Sequence, residues 1–234
     1  MYSKSAQPKP ARQVECDKCD NQRCPVRLHI AKPKLAKIAL KKTTLHFKKE
    51  QQIIFEGSSV IGIYFIYSGK VKVFKRASAD TERVLRFSGS GDMLGHRGYG
   101  EVLHYPISAT SIEDCTLCFF STADFFDMAK KNADFTFHLM MAYAAELRIA
   151  EQRLFQHSEH TAKDRLLGVI DMLEHQFGKT SHNRIDLPLN RKDLASLAGI
   201  TYETTIRILS ELKNSGVLVF KDGYLQKLQS HNKN

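Results

Sequence analysis

Between residues 190 and 228 the spacing of apolar positions changes twice. Leu194, Ala195, Leu197 and Ala198 form a short helical stripe, and Thr205, Ile208, Leu209 and Leu212 repeat at i, i+3, i+4, i+7. Val217–Phe220 and Tyr224–Leu228 then read as two short strands. The residues between these runs are of the types that start and stop elements. Asn190 suits an N-cap with Asp193 in the first turn, Gly199 ends the first helix, Thr201 caps the second and Gly216 closes it. Lys221-Asp222-Gly223 carries the Asp-Gly signal of a tight hairpin. The pattern predicts helix, turn, helix and a small wing.

Upstream the period is shorter. Ile53–Phe55, Gly62–Tyr67, Val71–Val73, Arg83–Phe87, Ile107–Ser111 and Thr116–Phe120 are β-type runs, separated by Glu56-Gly57, Ser68-Gly69 and Ser88–Asp92. Many short strands at this spacing predict a sandwich or barrel-like roll between about Thr43 and Phe120. Ala123–Phe126 opens helical territory. Residues 133–156 read as one long helix, with Phe135, Leu139, Ala142, Ala145/Glu146 and Ile149 as a stripe that serves either a core or a homodimer seam. Thr161–Phe177 is a further amphipathic helix, and the fold class is α+β.

Composition narrows the function. In 234 residues, hydrophobic types make up 42% and charged types 26%, as in an ordinary soluble protein. No apolar run reaches the ~18 residues of a membrane helix, and the start, MYSKSAQPKPARQ, lacks the apolar core of a secretory signal. A cytoplasmic protein without a membrane partner is expected. The net charge of +10 sits mainly in the first fifty residues, so it does not support the helix-turn-helix reading. That basic arm either touches phosphates or is solvated. No Ser/His/Asp order, phosphate loop or paired carboxylates stands out, so the chain reads as a non-enzyme.

The second helix of the C-terminal module turns Tyr202, Glu203, Ile206, Arg207 and Ser210 away from its apolar stripe. Arg207 can pair with guanine O6/N7 and Glu203 can accept from cytosine N4, which suits the major groove of double-stranded DNA. The alternative is a simple Glu203–Arg207 surface ion pair four residues apart.

Cys16, Cys19 and Cys24 form C-x2-C-x4-C, and Cys115 and Cys118 lie far downstream. On a strand the last two point to opposite faces. From the residues themselves, a thiolate-ligated zinc or iron–sulfur centre, a thiol switch and plain packing all remain open.

The order of roll, long helix and winged module resembles the CRP/FNR family of transcription regulators, in its FNR-like branch. The resemblance rests on FEGSSVIGIYFIYSGKVKVFK (Phe55–Lys75), GSGDMLG (Gly89–Gly95) and Leu194–Gly216 with TYETTIRIL, and covers about residues 30–228. It implies a Cys-containing basic arm (1–29), a β-roll sensor domain of the cyclic-nucleotide-binding, jelly-roll type (30–132), a dimerisation helix (133–158) and a winged helix-turn-helix (159–234). It also implies a homodimer reading a palindromic site, with RNA polymerase as a further partner. Glu203 and Arg207 match the family's reading pair, while Ile206 stands where FNR-type members have Ser and suits a thymine methyl instead. In FNR-type members the cysteines hold a [4Fe–4S] cluster, which implies ligation by Cys16, Cys19, Cys24 and, aligned through Leu117–Phe120, Cys118. The implied function is regulation gated by oxygen or redox state. The alternative is the same regulator without a cluster, answering another small ligand or none. Cyclic AMP does not fit, because the phosphate-pairing Arg is missing from Pro106-Ile107-Ser108-Ala109. Ala150 stands where FNR-type members carry an acid on the dimer helix, so the apo-protein is expected to be dimeric.

Overall fold

The computed structural model describes residues 14–78 and 81–228. The first thirteen residues of the expected arm lie outside it. The chain divides into two compact units, Met1–Val71 with Ser88–Met141, and Lys72–Phe87 with Ala142–Asn234.

The first unit begins with two helices the apolar pattern does not announce. Helix α1 (Pro25–His29) and helix α2 (Lys32–Ala39) each carry a proline in the first turn, where its missing N–H is harmless. The Lys- and Pro-rich sequence disguises them, but Leu35 and Ile38 give α2 a buried side.

The roll follows as β1 (Lys42–Phe47), β2 (Gln52–Ile54), β3 (Gly62–Ser68), β4 (Val71–Ser78), β5 (Thr81–Ser88), β6 (Met93–Leu94), β7 (Ser108–Ser111) and β8 (Cys115–Ser121). One sheet has the order β1-β8-β3-β6 and another β2-β7-β4-β5. Strand β8 is antiparallel to both neighbours, with Cys118 opposite Thr44 on one side and Phe65 on the other. Phe65 and Phe120 meet edge-on at 5.8 Å within a core that includes Ile63, Ile66 and Leu117. At Gly62 an added Cβ would run into the Phe120 carbonyl, so glycine lets β3 approach β8. Helix α3 (Thr122–Lys131) starts at Ser121, whose hydroxyl accepts from the Asp124 amide at 3.1 Å. The long helix α4 (Ala133–Glu159) buries Phe135 and Leu139 at its start.

In the second unit, α5 (Ala162–Phe177), α6 (Arg191–Ala198) and α7 (Tyr202–Asn214) precede a wing of β9 (Leu218–Lys221) and β10 (Tyr224–Lys227). Leu166, Ile170, Leu187, Leu194, Ile208, Leu212, Leu218 and Leu225 close its core. Gly199 sits at φ 62 after α6, and Asp222 (φ 54) and Gly223 (φ 79) make the wing turn. The β4–β5 hairpin segment groups with this unit. There the Val84 amide donates to Ser196 Oγ at 2.7 Å, Lys72 lies 3.6 Å from Asp193, and the Gln176 amide donates to the Phe87 carbonyl at 3.0 Å. Among the described residues, no helix is long and apolar enough to cross a membrane.

Candidate DNA-reading surface and cysteine site

Helix α7 is set by its own first turn. Thr201 Oγ1 accepts from the Thr204 amide at 3.2 Å, and Thr205 Oγ1 donates to the Thr201 carbonyl at 3.0 Å. That bond satisfies the hydroxyl of a fully buried Thr205, beside Ile208, Leu209 and Leu212. Tyr202, Glu203, Ile206, Arg207 and Ser210 are exposed on the other side. The Glu203–Arg207 ion pair does not form. Arg207 Nη1 donates instead to Glu211 Oε1 at 2.8 Å, one turn further along. The reversal follows geometry, since an i,i+4 partner exists in both directions and a helical side chain can reach either.

Cations that the sequence reading passed over stand on the elements next to α7 in the chain, α6 and β9. The Arg191 guanidinium lies 4.9 Å over the Phe220 ring of the wing, and Lys192 and Lys221 are exposed on α6 and β9. Stacking on Phe220 holds Arg191 in an ordered position.

The cysteine arm is laid on the roll. The Val14 amide donates to Thr44 Oγ1 at 3.2 Å. Asn21, itself buried, donates from Nδ2 to the carbonyls of Ile66 and Tyr67, both at 3.2 Å, and the Tyr67 hydroxyl donates to Asp20 at 2.7 Å. Residues 14–24 are thus anchored to the roll at Val14 and Asn21, with Cys16 buried, while Glu15, Asp17, Lys18, Asp20 and Arg23 stay exposed. The carbonyls of Ile66 and Tyr67 give Asn21 partners that composition does not reveal.

Four of the five thiols share one electrostatic neighbourhood. Burial pushes the Cys16 thiol up to about 12; Lys42 pulls it back, while Cys118, Cys24 and Cys19 add to the rise. Burial likewise raises Cys118 to about 11, with Lys42 opposing and Cys24 and Cys19 reinforcing. Cys24 is raised by burial, with Cys19 nearby. Cys115 stands apart. Its Sγ donates to the Lys70 and Glu113 carbonyls at 3.3 and 3.2 Å, it fills the space beneath Gly69, and its acidic neighbours are Glu113 and Asp114. It behaves as a small core residue.

Among the described residues, no three His, Cys, Asp or Glu side chains stand at the spacing of ligands around a single ion. A [4Fe–4S] cube spreads its four thiolates over four irons and needs a wider frame. The donor set fits such a group in number and type. Lys42, at 4% exposure, lies beside Cys16 and Cys118 and donates to the Val14 carbonyl and, at 3.4 Å, to Thr44 Oγ1. No sequence signal marks it, because its neighbours are distant along the chain.

Residues 44–132 match the family model described as a cyclic nucleotide-binding domain, and residues 164–229 match that described as a Crp-like helix-turn-helix domain. The second match contains the whole of α7 and the wing. This chain belongs to the CRP/FNR family. Fumarate and nitrate reduction regulatory proteins of Salmonella typhimurium and Escherichia coli K12 are each 26% identical to it over 182 residues, spanning 76% of this chain and 72% of theirs. Among solved structures, FixK2 from Bradyrhizobium japonicum superposes with a TM-score of 0.69 at 22% identity, covering 80% of this chain and 93% of that one. A CooA mutant from Carboxydothermus hydrogenoformans gives 0.71 at 16%, covering 91% and 94%. These structures share the fold. As a CRP/FNR protein the chain is a DNA-binding transcription regulator, and the family is one of regulators rather than enzymes.

Proposed function

We propose that this CRP/FNR regulator binds a palindromic DNA site as a homodimer and is gated by oxygen or redox state through a [4Fe–4S] cluster on Cys16, Cys19, Cys24 and Cys118. The observation that carries the gating is the shared neighbourhood of these four thiols, with Cys115 excluded from it by its own carbonyl partners. A bound cluster supplies a one-electron couple and a core that oxygen degrades. The chain's own residues supply the frame: Asn21 and Thr44 fix the arm to the roll, and β8 presents Cys118 between β1 and β3.

On the DNA side, Glu203 and Arg207 read base edges, with Tyr202, Ile206 and Ser210 lining the same face. The reading helices of a two-fold dimer meet successive major grooves about 34–36 Å apart. A cyclic nucleotide is a poor ligand for the roll. Ser108 is buried, its Oγ accepts from the Glu56 amide at 3.1 Å, and the flanking Ile107 and Ala109 provide no cation for a phosphate. The proposed organisation is an arm (1–29), a sensor roll (30–132), a dimer helix (133–158) and a reader (159–234), acting on DNA and RNA polymerase in the cytoplasm.

Iron and acid-labile sulfide analysis of protein purified without oxygen tests the gating. About four of each per chain, with a brown absorbance that bleaches in air, is the expected result. Colourless, iron-free protein would overturn the cluster and leave the DNA reading standing.

A further inference from the structure

Among the described residues Lys42 is the one lysine or arginine that is buried, and no carboxylate lies within ion-pair distance of it. Burial of an ammonium without an anion is unfavourable, so such groups are kept where something negative pairs with them. Nζ donates to the Val14 carbonyl, two residues before Cys16, and to Thr44 Oγ1, whose residue stands opposite Cys118, so the ammonium shares its surroundings with the thiols of Cys16 and Cys118. Only the thiols can become anionic, and they do so when they bind a metal centre.

We propose that Lys42 is the charge partner of the cysteine site, its buried ammonium balancing the thiolates of Cys16 and Cys118 and so setting how tightly the site holds a thiophilic metal centre. This rests on the reading that these four cysteines are ligands. Lys42 reaches the arm through the Val14 carbonyl, and its other partner, Thr44, lies opposite Cys118 in the β1–β8 register, so its charge is placed where the arm meets the strand pair that carries the fourth ligand. In the metal-free, reduced protein the same ammonium has only neutral partners. It then opposes folding, whereas a methylene chain of similar length would not.

The two roles open to Lys42, charge partner and plain tether of Val14, separate in the full-length protein with Lys42→Met and Lys42→Arg. Reduced apo-protein is titrated with cadmium alone, following the cadmium–thiolate absorbance, and its melting temperature is recorded. Lys42→Met should bind cadmium about ten-fold or more weakly, Lys42→Arg should stay close to the parent, and metal-free Lys42→Met should melt no lower than the parent. Equal cadmium affinity in Lys42→Met and the parent would overturn the proposal. So would weaker binding accompanied by a lowered melting temperature of the metal-free protein, which is the signature of a tether, or a parent protein that binds no cadmium at all. If cadmium behaves as expected while anaerobic parent protein holds no iron or sulfide, the cluster reading fails and Lys42 keeps its role.

Discussion

The backbone of Gly91 lies against that of Arg23: a Cβ on Gly91 would come within 2.7 Å of the Arg23 carbonyl oxygen. The same Gly91 amide donates to the Ile66 carbonyl at 2.8 Å, and that carbonyl also accepts from Asn21. The bend between β5 and β6 and the seat of the cysteine arm are thus one structure. Gly91 holds φ at +92, so any replacement adds backbone strain of roughly 1–3 kcal/mol as well as the collision. Gly57 separates the two effects, because its φ is +82 but nothing lies within 4 Å of an added Cβ. Gly91→Ala and Gly57→Ala should both lower the melting temperature. Only Gly91→Ala should speed alkylation of Cys19 and Cys24 in reduced apo-protein; equal rates would show that the arm is not seated there.

The Arg207–Glu211 pair makes a prediction for DNA. Both side chains are more than two-fifths exposed, so the pair contributes at most a few tenths of a kcal/mol to the helix. Arg207→Ala should cost about 1–3 kcal/mol at the one base pair it reads and relax selection there, as measured by site selection from a random pool. Glu211→Gln frees the guanidinium and removes a negative charge from the DNA-facing helix. It should tighten binding to all sequences and leave the preferred site unchanged. A changed preferred site would mean that Glu211 itself takes part in reading.

How far the sequence could be read depended on the range of the interaction. The caps at Asn190 and Thr201, the stop at Gly199 and the Asp222-Gly223 turn act over three or four residues, and all were visible as residue types. Alternation along β8 separated Cys115 from Cys118, and the family resemblance chose between them. Lys42 was invisible because its partners are Cys16 and Cys118, far off in both directions, and a lysine at a strand start ordinarily faces water. The seating of the arm was hidden for the same reason: the Asn21 side-chain amide finds its carbonyl partners far along the chain, at Ile66 and Tyr67. The wing and helix α7 were legible as elements, but which acid Arg207 meets is a rotamer choice that local pattern does not decide.

Asp193 gives the reader a pH response. Burial raises its carboxyl above the ordinary range, with Lys72 and the Asn190 amide partly offsetting that rise. A carboxyl raised by folding works against the folded state while ionised. Stability from this group therefore increases as pH falls from neutral through the folded value, and levels off below the unfolded value of 3.8. Asp193→Asn mimics the protonated form. Its stability relative to the parent should be more favourable at pH 7.5 than at pH 4.5 in urea titrations of the apo-protein. A difference that is constant with pH would place the ionised carboxylate at no disadvantage.

Helix α4 leaves an apolar face open on which the dimer can be tested. Phe137 and Leu147 are 62% and 61% exposed, and Met140 and Met141 accompany them. Covering one such side chain is worth about 1.5–3 kcal/mol, and a two-fold axis makes every substitution count twice. Ala150, exposed on the same helix, adds no like charge to that face. Metal-free protein should therefore sediment as a dimer at micromolar concentration. Leu147→Glu places two carboxylates at the seam and should raise the dissociation constant by at least about a hundred-fold, since each tenfold change needs only about 1.4 kcal/mol. The same variant should bind a half-site as well as the parent does but lose the added affinity of the full palindrome. A Leu147→Glu protein that remains dimeric and keeps that affinity would put the seam elsewhere on the chain.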